Sequence, residues 1–213
     1  MHSYAITRKF IDSRVIVFLC SAGMELIQET SDLSAYLAAD EVVDHRHPVV
    51  RAAAVRLASQ VADSYAYAQA AFEFMRDTIP HSQDSGDLRV TWRASDVLEL
   101  GTGICHAKSH ALAALLRAED IPTAFCYQKF DVVHGLVAVR FHGAWHRQDP
   151  RGNKPGVDAR FSLDGERLAF APDPESNELD YPVLYAEPHP AVLSALRAAR
   201  DRPHLWELLP TAL

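Results

Sequence analysis

The spacing of apolar positions changes once along the chain. Between Pro48 and Ile79, apolar side chains at Val50, Ala54, Leu57, Val61, Tyr65, Ala68, Phe72 and Met75 recur every three or four residues. That is the repeat of one helical face. Asp63-Ser64 interrupts it, so the stretch reads as one helix or as two in succession. Pro48 suits a first helical position, and Ile79-Pro80 ends the run. Residues 81–91 are polar and rich in turn formers and read as a surface loop. A short helix follows over 95–99. Residues 107–118 are apolar almost all round, which predicts a buried helix. Beyond Pro122 the period shortens to that of strands, over 123–128, 134–141 and 144–149. Residues 151–156 read as a turn, 161–170 and 180–185 as extended, and 190–200 as a last helix, with Leu205, Leu208 and Leu209 docking the tail. Helices first and antiparallel strands after them predict an α+β fold. Residues 24–213 read as one domain, with its core over about 50–152 and further strands and a helix over 157–213.

Composition narrows the class. The chain has 213 residues, 48% of them hydrophobic and 23% charged, the balance of a globular protein with an ordinary core. Its formal charge of -7 lacks the basic footprint that binding a phosphate backbone needs, so no nucleic-acid partner is expected. Three cysteines, Cys20, Cys105 and Cys126, are too few for a disulfide scaffold and point to a reducing, cytoplasmic setting. The N-terminal residues 1–23 are an extension with three readings. Residues 15–20 are apolar behind Arg8, Lys9 and Arg14, in the order of a signal peptide, but the run is short and Asp12 interrupts the basic segment. A buried strand is the commoner explanation for such a run, and Met24 as the natural start is the third reading. No run is long enough to span a membrane. The 11 histidines are candidates for chemistry or metal.

Cys105 stands where the buried helix begins. A thiol there gains from the partial positive charge of the helix N-terminus, which favours thiolate. It also fits a small buried hydrophobe. The hairpin adds to the first reading. If His142-Gly143 is a two-residue turn, Phe141 faces Ala144 and Leu136 faces Asp149. His134 and Asp149 are then diagonal neighbours, roughly 7–8 Å apart along the backbone and within reach of an imidazole–carboxylate bond. A loop one residue longer would place them on opposite faces. A cysteine nucleophile needs such a pair: an imidazole to exchange the proton and a carboxylate to orient it.

Gly103-Ile104-Cys105, the run ending Leu115-Leu116-Arg117-Ala118, and Ile121-Pro122 resemble the nucleophile signature of the transglutaminase-like superfamily. His134 followed by a strand, Trp145 and Asp149-Pro150 is similar to the second half of that core, and Phe74 to Ile79 to the helix end before it. The resemblance covers about residues 50–152, in a small, bacterial type of member. It implies a papain-like core in which Cys105 is the nucleophile, His134 the general base and acid, and Asp149 the orienting carboxylate. The implied chemistry is acyl transfer through a thioester, from an amide of a peptide or protein to water or to an amine, and the small size of the chain tilts the expectation to hydrolysis. No cofactor is implied, and oligomeric state stays open. Gly135-Leu136 stands where the family often has an aromatic residue, and Asp120 where it has glycine. These departures bear on the substrate wall. Trp92, Tyr127 and Gln128 are candidates for that wall, and Trp92 and Gln83 lie upstream in the region of a second oxyanion donor, although each also reads as a packing or loop residue. Three other readings stand beside this one: zinc held by His106 and His110, an arylamine N-acetyltransferase-like acyltransferase, and an inactive binding module of the same fold.

Overall fold

The computed structural model describes residues 24–213; the strand expected over 15–20 and Cys20 lie outside them. In chain order the elements are β1 (Ile27–Gln28), α1 (Pro48–Ala58), α2 (Ser64–Asp77), α3 (Ser82–Ser85), α4 (Ala94–Leu100), α5 (Cys105–Arg117), β2 (Thr123–Lys129), β3 (Val133–Phe141), β4 (Ala144–Gln148), β5 (Leu179–Asp180), β6 (Val183–Leu184), α6 (Pro190–Ala198) and α7 (Arg202–Leu208). The fold is α+β. Among the described residues no helix is long and apolar enough to cross a membrane.

The periodic stretch after Pro48 is two helices, because Asp63 caps the second. Its carboxylate accepts the Ala66 N–H at 2.8 Å, which favours starting a new helix over continuing the old one. The two helices and α4 pack around α5, all of whose residues are buried. Two of those residues carry charge. Lys108 Nζ donates to the carbonyls of Ile79 at 2.5 Å, Arg151 at 2.9 Å and Arg76 at 3.4 Å. Arg117 donates to Thr123, Ala38 and Ala186 carbonyls. Buried donors need such partners, and these partners tie α5 to six separate points of the chain. Burial pushes Lys108 down to about 7.

Four strands form an antiparallel sheet in the order β4-β3-β2-β5. His142 (φ 50°) and Gly143 (φ +83°) make the turn between β3 and β4. Positive φ at both central residues is the hairpin turn whose twist matches the strands. Phe141 pairs with Ala144 and Val137 with Gln148, which is the expected register. One face of the sheet, with Phe125, Tyr127, Val137 and Val139, packs on the helices. The other, with Ala124, Cys126, Leu136 and Ala138, packs on Tyr36 and Leu184. Burial on both faces explains why these strands read as nearly continuous apolar runs.

Three expectations are corrected. Residues 161–170 are irregular chain with bends, not an extended strand. The segment is held against the edge of β4 by Gln148, whose amide donates to Ser162 O at 2.6 Å and accepts Ser162 N–H at 3.2 Å. Its apolar alternation serves Phe161, which meets Tyr65 and Phe72, and Phe170, which meets Phe130. Residues 81–91 are not a plain surface loop, for His81, Ser82 and Thr91 are buried. The tail over 202–208 is a helix, α7, capped by Asp201.

Candidate active site

Cys105 is the first residue of α5, 8% exposed. His134 is the second residue of β3, and Asp149 follows β4 directly. The hairpin register brings these two together, with His134 Nε2 donating to Asp149 Oδ2 at 2.8 Å. Asp149 also accepts the Arg151 N–H at 3.0 Å and the Ala169 N–H at 3.2 Å. Three donors on one carboxylate favour its ionised form, and despite complete burial Asp149 stays below the usual range. With Nε2 committed to Asp149, the His134 nitrogen left for the Cys105 thiol is Nδ1, and the two side chains line one cavity. The His134 ring is walled edge-on by Phe130 and Phe170, with centroids 6.2 and 5.3 Å away.

Burial alone would push the His134 imidazole down. The Asp149 carboxylate and the Cys105 thiolate outweigh it and hold the ring up at about 10. Burial likewise pushes the Cys105 thiol up, but the surrounding imidazoles, His106 and His134, and hydrogen bonds from His134 and His81 hold it well below its usual value. His106 is itself pushed down by burial whereas His134 is held up, so of the two His134 keeps its charge to higher pH. The three side chains can pair as thiolate and imidazolium with a carboxylate bonded to the ring.

Residues 51–150 match the family model described as the transglutaminase-like superfamily. That segment is a transglutaminase-like core. The match ends on Pro150, so it holds Cys105, His134 and Asp149 together. A candidate cysteine protease from Cytophaga hutchinsonii is similar in structure at a TM-score of 0.49 and 18% identity, over 60% of this chain and 46% of that one. The periplasmic domain of TgpA from Pseudomonas aeruginosa is similar at 0.42 and 19%, over 56% and 47%. The chain thus spans about half the length of the solved structures it matches. No curated protein matches it.

Around the transglutaminase-like thiol lies a cavity of about 230 Å³, lined on one side by His81, Gln83, Cys105, His134 and Arg151 and on the other by Phe130, Val132, Phe170, Trp206 and Leu209. Trp206 comes from α7, which therefore covers the site. Arg151 is neutralised by Asp84 through two bonds, at 2.5 and 3.1 Å. The three residues expected to line this cleft lie elsewhere. Trp92 has its ring against the guanidinium groups of Arg93 and Arg197, 4.2 and 4.8 Å from the centroid. Tyr127 is buried in the core and its hydroxyl accepts the His189 N–H. Gln128 donates to Asp180 at 2.9 Å and lines a neighbouring cavity with Arg147 and Glu166. Gln83 does reach the cleft.

The histidine pair considered for zinc is differently engaged. Both residues are 1% exposed, not at the helix surface. His106 Nε2 donates to Val133 O at 2.9 Å, and His110 Nδ1 to Trp92 O at 2.8 Å. Among the described residues no three His, Cys, Asp or Glu side chains are grouped as metal ligands. His106 occupies the space a side chain at 135 would fill: a Cβ there would lie 2.2 Å from its Nδ1. This accounts for Gly135 where an aromatic residue is usual.

Proposed function

We propose that the protein is a cysteine-dependent acyl-transfer enzyme acting on an amide or peptide-like bond, with water as the favoured acceptor. The observation that carries this reading is the buried line from Cys105 through His134 to Asp149. Cys105 Sγ attacks the acyl carbon, forming a C–S bond while the carbonyl electron pair moves to oxygen. Collapse of that adduct breaks the C–N bond, and His134 gives its proton to the leaving nitrogen. Water, deprotonated by the same imidazole, then hydrolyses the thioester. Asp149 keeps the ring in one tautomer and orientation throughout. The backbone N–H of Cys105, at the start of α5, is one donor for the developing oxyanion.

The cavity supports an acyl donor with a neutral, apolar group beside the reacting carbonyl, since its outer wall is Phe130, Phe170, Trp206 and Leu209. Among the described residues no carboxylate lines the cavity to receive a lysine ammonium, which supports water over a lysine acceptor. Cys105 and Cys126 are both free thiols, which supports a reducing, cytoplasmic setting.

The test is competitive alkylation with iodoacetamide, followed by peptide mapping. Cys105 reacts fastest, and Cys105→Ala abolishes turnover of small amide and ester substrates. Equal labelling of Cys105 and the fully buried Cys126 would leave a non-catalytic binding module as the reading.

A further inference from the structure

We propose that His81 is the second oxyanion donor, presenting its Nε2–H to the acyl oxygen as Cys105 attacks. The inference rests on the acyl-transfer reading above and completes the hole that the Cys105 N–H begins. When Sγ adds to the carbonyl carbon, the charge gathers on an oxygen one bond from the carbon it bonds to. A donor must therefore stand beside Sγ and hold a proton that no other acceptor uses.

Three imidazoles surround the thiol, and their bonds sort them. His134 carries its Nε2 proton to Asp149 and exchanges the other with sulfur. His106 spends its proton on Val133 O, so its Nδ1 is bare. His81 accepts the Gln83 N–H at Nδ1, 3.3 Å. A neutral ring then carries its proton at Nε2, the nitrogen left for the cavity that His81 shares with Cys105. His81 is 4% exposed and lines the cavity beside Cys105. Burial also holds it below its usual pKa, so it donates a hydrogen bond without competing with His134 for the thiol proton.

Its placement is fixed by the chain just before the nucleophile. Residue 81 bridges Gly103, and the Ser82 N–H donates to Gly103 O at 3.0 Å. Helix capping alone does not explain the residue. His47 and His189 cap α1 and α6 with Nδ1 in the same way, at 3.4 and 3.3 Å, but neither is fully buried nor lines the cavity. At His81 the same cap leaves Nε2–H free on the cavity that Cys105 lines.

The test compares two probes of one thiol. p-Nitrophenyl acetate acylates Cys105 through an oxyanion; iodoacetamide alkylates it by displacement, with none. His81→Asn keeps a side-chain oxygen to cap α3 and removes Nε2–H. We expect its acylation to fall about 100-fold relative to its alkylation, the loss typical of one missing oxyanion donor. His81→Gln, which offers an amide N–H at longer reach, restores part of the ratio. Parallel loss of both rates in His81→Asn would make His81 a cap or thiolate partner and overturn the proposal. A wild-type Cys105 no more reactive to iodoacetamide than Cys126 would instead sink the underlying acyl-transfer reading.

Discussion

Asp149→Asn tests the electrostatics of the site most directly. In the folded chain His134 is held at about 10 against an ordinary 6.5, a difference of about 5 kcal/mol between its two protonation states. Asp149 is the main source of that hold. The raised value means the imidazolium persists below pH 10 and is lost as pH rises through it. Across the neutral range the thiolate therefore keeps its cation, and wild-type alkylation is flat with pH. An asparagine at 149 has no charge, so burial drives His134 back toward or below its ordinary value and the thiol loses its partner. A thiol with an ordinary value near 8.5 is only about 1% ionised two units lower. Alkylation of the variant at about pH 6.5 should then be down roughly 100-fold and recover about tenfold per pH unit until the thiol ionises. The assay is the iodoacetamide rate at Cys105 as a function of pH, followed by mass spectrometry. Labelling of the fully buried Cys126 in the same samples reports any unfolded chain, a control that matters because Asp149 also anchors the Arg151 and Ala169 N–H groups. A variant profile as flat as the wild type would refute the assignment of Asp149 as the group that holds the imidazolium.

Two stability predictions follow from α5 and its neighbours. Lys108→Met leaves the Ile79 and Arg151 carbonyls without a donor and should cost about 3 kcal/mol, lowering Tm by roughly 6–12 °C. Because Lys108 is lowered from 10.5 to about 7 in the folded state, the unfolded chain binds more protons between those values. Wild-type stability relative to the Met variant should thus rise with pH across that window, by at most about 1.4 kcal/mol per unit; a constant difference in chemical denaturation would show the lysine titrates normally. Gly135→Ala drives a Cβ into His106 and should cost about 2–4 kcal/mol through overpacking and loss of the Val133 bond. In a His106→Ala background the same substitution should cost at least about 1 kcal/mol less, and an additive double mutant would show that the two residues do not collide.

What the chain's pattern reveals and what it hides divide along physical lines. The register that joins His134 to Asp149 was legible because a strand has a fixed period and a two-residue turn fixes the count. Phe141 opposite Ala144 leaves no other partner geometry for residues farther down the ladder. Cys105 was legible because a helix start is a local event, marked by the change from a glycine-containing turn to an apolar run. His81 was hidden because nothing periodic links it to Cys105. Its place depends on a bridge to Gly103, across 22 positions of polar chain, and on a helix too short to leave a hydrophobic repeat. The same holds for Lys108 and Arg117, whose charges on a buried helix look like contradictions until the carbonyls that receive them are in place. Those carbonyls belong to connections and element ends, and any residue type can supply one. Side chains that answer to side chains at a fixed spacing can be read from sequence, whereas side chains that answer to main-chain carbonyls from distant turns need the fold. The His134–Asp149 pair is of the first kind, and the residues that seat it, Lys108 beneath and His81 beside the thiol, are of the second.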